Sequence, residues 1–571
     1  MLFTSYQFIL FVLVALILYY VVPKRIQWIV LLCMNMLFYV YAGLSGIIFI
    51  VTTIVTTYAG ARLIYREKDR SVRFIEEHKC DISRDEKKKL KNISLRKQKM
   101  FLTIVLFINF GILAVLKYTN MFIVTFTTFN TVDFILPMGI SFYTFQSIGY
   151  MIDVYRGVAD AEKNPFRYAL FVSFFPQLVQ GPISRWNDLK KSLFESHVFS
   201  WVNIQYGFER ILWGYFKKMV IADRAAIGLA TIQSDVSVYY GAYAFVGMLL
   251  YAIDLYADFT GGIDITIGVA QMFGITLPEN FRRPFFSKSI AEYWRRWHIT
   301  LCAWFKDYLF YPLSMSKWMN KVSRWLKKHV GKPVGSRFPV YFSSLTVWFV
   351  TGIWHGASWN FVVWGLLNSI IMLVSQELKP LYEKADNRLG YRKLKYYKVF
   401  EIIRTTAIVC CLQMLDYYRD IAEAFRMFFS MFTSVNYAAV FTKGMWSIGL
   451  SAADYIVIFA GVVIMFAVSL LERKCPVRDR LAKKNYIIRY TVFLVIFRES
   501  VTLSLVTLFT VFFVVHLYPP RNMHNAYFFY KQNFIYYPFS MFLSVMQNKA
   551  VLLGHNKTPA LVGQADRSGG C

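Results

Sequence analysis

Two histidines stand where an ionisable side chain is hardest to accommodate. His298 falls in the run YWRRWHITLCAWFKDYLFYPL, residues 293–313, and His355 in SSLTVWFVTGIWHGASWNFVVWGLL, residues 343–367. An ionisable group inside an apolar segment is costly and as a rule faces a polar cavity or an active site. A neutral imidazole titrates close to physiological pH and suits a general base, which contributes ~10²–10⁴-fold to a rate. Gly352 and Gly356 flank Trp354-His355, and without Cβ atoms there a substrate or another helix can approach the backbone. On a continuous helix Trp294, His298 and Cys302 would share one face, with Arg295 three before His298. Each histidine also has a plain reading: His355 bonded to a backbone carbonyl in a helix bundle, His298 solvated beside its basic neighbours.

The elements that must position these residues are membrane helices. Of 571 residues, 56% are hydrophobic and 18% aromatic, the profile of a polytopic membrane protein. Apolar runs lie near 8–22, 26–41, 44–58 and 101–116, then near 134–151, 168–179, 211–221, 242–273, 340–374, 405–415, 452–471 and 490–517. The first reads as a retained crossing, because no basic region precedes it and Pro23-Lys24-Arg25 follows. Several of the later runs are too short or too polar to span alone. Gln146, Gln177, Gln180, Asp254, Asp258 and Asp264 inside them point to broken or re-entrant helices around a cavity. For the three aspartates, hydrogen bonding between helices is favoured over a cation site, since no ligand set accompanies them.

The net charge is +30, but the basic residues gather between apolar runs. Lys24-Arg25 and the loop 62–100 fall on one side if each early run crosses once, which puts the N-terminus outside and both loops in the cytoplasm. Basic loops of this kind also attract anionic lipid, and no nucleic-acid-binding pattern accompanies the charge. The basic, aromatic segment 281–337 reads as amphipathic helices lying at the cytoplasmic interface or dipping into the protein. Seven cysteines without CxxC or Cys/His spacing support neither a disulfide framework nor a metal site.

Five runs carry a family resemblance: LPMGISFYTFQSIGYMIDVYRG (136–157), FVSFFPQLVQGPISRW (171–186), LYADFTGGIDITIGVAQMFGITLPENFRRPF (255–285), YWRRWHITLCAWFKDYLFYPL (293–313) and TGIWHGASWNFVVWG (351–365). In this order they resemble the membrane-bound O-acyltransferase (MBOAT) family, and the wording RRWHITL and DYLFYPL is most similar to its bacterial branch that includes alginate O-acetyltransferase. The aromatic run 534–539, FIYYPF, resembles the ending of these proteins.

The resemblance implies an all-α polytopic membrane protein, a helical bundle around a central tunnel with amphipathic or re-entrant helices on the cytoplasmic side. It implies that His355 is the catalytic histidine, that His298 lies by the acyl-donor path, and that Arg296, Trp297, Trp304 and Asp307 bind the donor. For Arg282, Arg283, Arg295 and Arg296, binding of lipid phosphate stays open beside a role on donor phosphate. The implied reaction moves a short acyl group, acetyl in this reading, from a cytosolic thioester to a hydroxyl of an exported envelope polysaccharide or a relay protein. Acetyl-CoA or an acyl carrier would be the donor, with no tightly bound cofactor. Implied partners are membrane lipid, the polysaccharide acceptor and an extracytoplasmic relay protein of SGNH type, in a bacterial plasma membrane. Two alternatives stay open: D-alanyl transfer to teichoic acid within the same family, and a non-enzymatic transporter of an envelope glycan. The expected divisions are N-terminal crossings with their basic loop at 1–120, a catalytic core at 121–375, C-terminal crossings at 376–539 and a flexible tail at 540–571.

Overall fold

The computed structural model describes residues 3–394, 396–473 and 477–481. The expected apolar run 490–517, the aromatic run 534–539 and the tail 540–571 lie outside the described residues. Among the described residues the chain is helical without a strand. Six of the described helices are long and apolar enough to cross a membrane: Lys24–Ala42, Leu44–Glu77, Arg84–Phe126, Ala242–Met272, Trp359–Glu377 and Ala452–Leu471. A shorter apolar helix, Tyr6–Val21, precedes them. Phe107, Val124 and Phe459, each over 70% exposed on these helices, present the apolar surface that lipid would cover. The protein is an all-α, multi-pass membrane protein.

The segment 62–100 departs from the expected loop. The helix Ile47–Glu77 runs on through its first part, the chain turns at residues 78–83, and the helix Arg84–Phe126 begins at once. Ser83 and Glu86 form a capping box: the Ser83 hydroxyl accepts from the Glu86 N–H, and the Glu86 carboxylate accepts from the Ser83 N–H at 2.8 Å. Charge marked this region as extramembrane, while the cap and the strong helix formers of RDEKKKLK keep it helical.

The centre of the molecule is the 31-residue helix Ala242–Met272, packed along Trp201–Tyr215. Glycines make the seam between them. A Cβ on Gly207 would sit 2.5 Å from the Gly268 carbonyl oxygen, and one on Gly214 would sit 2.6 Å from that of Gly261. Such close backbone approach is the usual way membrane helices associate, where lipid removes the hydrophobic drive between them.

The apolar stretch 340–374 is two helices rather than one. Lys332–His355 ends at His355, the chain reverses through residues 356–358, and Trp359–Glu377 returns beside it. Gly352 and Gly365 let the two backbones meet, since a Cβ on Gly352 would lie 2.4 Å from the Phe361 carbonyl oxygen and one on Gly365 2.3 Å from that of Trp348. Gly356 is filled in the same way by the Phe361 ring, 2.1 Å from where its Cβ would stand. The close neighbour of Gly352 and Gly356 is therefore the returning helix.

Candidate active site

Sequence spacing placed His298 within a continuous helix, and the structure breaks the chain there. The helix Ile290–Arg296 stops, Trp297 is extended, and His298 takes φ 46° and ψ 51° before Ile299–Phe305 begins. Among the described residues only Arg283 and His298 combine a side chain with positive φ. A non-glycine residue held there costs about 1–3 kcal/mol and persists only when its surroundings impose it. Asn280, wholly buried, supplies that constraint. Its carbonyl accepts from the Ile299 N–H at 3.0 Å, and its Oδ1 accepts from the Thr300 N–H and hydroxyl at 3.1 and 2.9 Å. The Arg282 N–H donates to the Arg296 carbonyl at 2.9 Å, tying the preceding segment across the same break. The single helical face expected for Trp294, His298 and Cys302 therefore does not exist.

The break turns His298 into the protein. Its ring is 1% exposed and lies edge-on 5.0 Å from Phe259 and 5.9 Å from Trp354, centroid to centroid. Neither ring nitrogen has a hydrogen-bond partner. An unpaired buried donor or acceptor of this kind costs about 1–3 kcal/mol. His355, half-buried at the end of its helix, also lies against Trp354 at 5.1 Å and against Trp364 at 4.9 Å. Trp364 belongs to an aromatic box with Trp348 and Trp294, whose Nε1 donates to Asn368 Oδ1 at 3.0 Å.

Both histidines line one cavity of about 150 Å³, shared with Trp297, Tyr293, Trp354, Gln413 and Asp416. That is the size of a dry cavity known to take benzene, so it holds roughly six heavy atoms. Its wall carries further unpaired polar atoms besides those of His298: Trp354 Nε1, the Tyr293 hydroxyl and Gln413 Oε1. Asp416 alone brings a carboxylate, and Tyr251 hydrogen-bonds to it.

Of the residues expected from sequence, His298, His355 and Trp297 come together here, with Trp297 stacked on Tyr293 at 5.5 Å. The other three do not line the cavity. Arg296 pairs with Glu292 at 2.5 Å and donates to the Arg283 carbonyl at 3.3 Å. Trp304 Nε1 donates to the Phe145 carbonyl at 2.9 Å. Asp307 is ion-paired with Arg185, next to a Tyr308 hydroxyl that donates to Asp153 at 2.8 Å. Gln413 and Asp416 were missed, although a Gln and an Asp inside the otherwise apolar TTAIVCCLQMLDYY are the same signal that drew attention to the earlier segments. Both sit on the helix Tyr397–Tyr417, which closes one wall.

Fold and cavity together define a multi-pass membrane protein with two histidines converging on a buried, aromatic, partly unsatisfied pocket. Comparison with known proteins agrees with this class: residues 159–322 and 315–415 match the model of the membrane-bound O-acyltransferase family, MBOAT, a stretch that takes in both histidines and the wall at Gln413. The chain is also similar to several bacterial acyl-transferring proteins. It is 32% identical over 357 residues to a probable alginate O-acetylase of Azotobacter vinelandii, covering 61% of this chain and 64% of that protein. It is 33% identical to a peptidoglycan O-acetyltransferase of Helicobacter pylori, covering 48% and 55%, and 29% identical to a teichoic acid D-alanyltransferase of Bacillus subtilis, covering 41% and 58%. The chain thus spans a little over half the length of these three relatives.

Proposed function

We propose that this protein is an O-acyltransferase that moves a short acyl group, acetyl in our reading, from a cytosolic thioester to a hydroxyl of an exported envelope polysaccharide or of a relay protein. The observation that carries the proposal is His298: a buried ring held in a strained backbone conformation, with both nitrogens unpaired, in one cavity with His355. Such a group is stabilised only when something else occupies the cavity. The higher identity to the two O-acetyl-transferring relatives supports acetyl over D-alanyl.

The proposed chemistry needs little from the protein because a thioester is already activated. His355 takes the proton of the acceptor hydroxyl as its oxygen attacks the thioester carbonyl. His298 donates a hydrogen bond to the carbonyl oxygen as negative charge develops there. The carbon–sulfur bond then breaks, and the departing thiolate takes the proton from His355, so the enzyme ends as it began. The donor would be acetyl-CoA or an acyl carrier, entering from the side of the basic helical extensions. The core at 121–375 would supply both histidines, with Tyr397–Tyr417 adding a wall from beyond that boundary.

The test is transfer by purified protein in proteoliposomes, with radiolabelled acetyl-CoA on one side and alginate oligosaccharide on the other. His355→Ala should lower transfer at least ~10²-fold in protein that still folds, because only the base is removed. Retention of more than a tenth of the wild-type rate would sink the assignment. Transfer should occur only with donor on the side of residues 84–100, and donor use from the other side would reverse the orientation.

A further inference from the structure

His355 is the last residue of its helix, which makes the support of that helix end a question of function. The last carbonyls of any helix have no partner within it. Here the Gly356 N–H reaches back to the Gly352 carbonyl at 3.3 Å, and the carbonyl of Trp354 receives a hydrogen bond from the ammonium of Lys117, 237 residues away in sequence. Lys117 lies in the apolar half of Arg84–Phe126, among GILAVLKYTNMF, where a lysine is expensive unless the fold compensates it. No acidic side chain among the described residues pairs with it within ion-pair distance. Its ammonium instead sits 5.7 Å from the Trp354 ring centroid and 5.8 Å from that of Tyr118. One turn beyond the helix end, Trp359 Nε1 donates to Thr125 Oγ1 at 3.0 Å, so residues 117–125 of one helix clasp the reversal at 356–358 from both sides.

A hydroxyl or amide could satisfy one carbonyl at far lower cost in lipid. A cation does more there, because the end of a helix carries partial negative charge and holds a positive group over its last turn. That turn carries Trp354, the ring in contact with both histidines, and His355 itself.

We propose that Lys117 is a positioning residue for His355: through the Trp354 carbonyl and ring it fixes the last turn of Lys332–His355, and with it the direction in which His355 meets the acceptor hydroxyl. This rests on the assignment of His355 as base. Lys117 does not line the cavity, so its loss should reach the rate of reaction and leave donor binding alone.

The experiment compares Lys117→Met, Lys117→Arg and His355→Ala in the same proteoliposome assay. Lys117→Met should lower kcat at least tenfold, with KM for acetyl-CoA within twofold of wild type and unfolding temperature unchanged. Lys117→Arg, which restores a cationic donor, should recover a third or more of the wild-type kcat. In a His355→Ala background, Lys117→Met should cause no further loss, since there is no longer a base to direct. Wild-type kcat in Lys117→Met, or an arginine variant no better than methionine, overturns the proposal while His355→Ala stays inactive. An active His355→Ala overturns the assignment beneath it. Should Lys117→Met fail to fold, Lys117→Gln, a donor without charge, is read in its place, and wild-type kcat there overturns the proposal.

Discussion

Two polar clusters lie among the helices of this protein, one of them reaching the surface at Glu279, and they are built on opposite principles. In the first, Arg210 donates to both Glu279 carboxylate oxygens at 2.7 and 2.6 Å and to Asp264 at 2.9 Å. Lys217 pairs with the other Asp264 oxygen and donates to the Thr260 hydroxyl at 2.9 Å, which in turn donates to the Tyr256 carbonyl at 2.6 Å. Every charged group in it has a partner. In the second, around His298 and His355, the polar atoms of His298, Tyr293, Trp354 and Gln413 face about 150 Å³ of space with no partner. Buried polar groups in a membrane protein are thus of two kinds. Those satisfied by one another hold helices together, and those left unsatisfied around a cavity await a ligand.

The contrast is broken most directly at Asp264. Asp264→Ala leaves Lys217 and one bond of Arg210 buried without their anion, and removal of one partner from a buried ion pair costs about 3–5 kcal/mol. The expected outcome is a fall of many degrees in the thermal unfolding midpoint in detergent, or loss of folded protein on purification. An unchanged midpoint would show that the cluster is not a structural tie, and the division between the two sites would fail.

A change at His298 should do the reverse. No hydrogen bond is lost with its ring, so His298→Ala should lower transfer by ~10²-fold through poor use of the acyl donor, and stability should move far less than for Asp264→Ala. His298→Gln keeps a side-chain donor and should recover part of the lost rate. The pair is read by kcat and KM for acetyl-CoA beside unfolding midpoints. Complete loss of transfer in both variants with donor KM unchanged would make His298 an obligatory acid or base.

How much of this was legible in the sequence follows from which signals are local. Apolar runs and clustered charge mark the membrane class, because lipid imposes composition over some twenty consecutive residues. The two histidines stood out for the same reason. The break at Trp297-His298 did not, since no proline or glycine marks it: it is enforced by Asn280, a residue distant in sequence whose bonds to Ile299 and Thr300 exist only after folding. A helical period laid across that point joined Trp294 to Cys302 wrongly. The reversal after His355 was hidden inside an apolar stretch long enough to pass for one span, although Gly356-Ala357-Ser358 is the local hint of a stop. Charge placed residues 62–100 outside the membrane but says little about conformation, and the capping box at Ser83 was the unused signal there. Gln413 and Asp416 share a cavity with histidines 58 or more positions away, a closure no local pattern encodes.

The smallest effect, and the sharpest boundary between the two clusters, belongs to Tyr293. Its ring is 1% exposed and stacked on Trp297, which any aromatic ring can do, while its hydroxyl has no partner. Tyr293→Phe therefore removes a polar atom and keeps the packing. In the ion cluster the equivalent deletion would strand a partner, but here nothing is stranded, so the unfolding free energy should stay within about 0.5 kcal/mol of wild type. If the hydroxyl bonds substrate in the cavity, transfer should fall about 2- to 10-fold, the range for one neutral hydrogen bond worth ~0.5–1.5 kcal/mol. Calorimetry or thermal unfolding reads the first expectation and initial rates the second. A loss of stability above about 1.5 kcal/mol would mean that the hydroxyl is bonded within the folded protein, moving Tyr293 from the awaiting cluster to the satisfied one. Wild-type rate with wild-type stability would place the edge of the substrate-contacting wall between Tyr293 and His298.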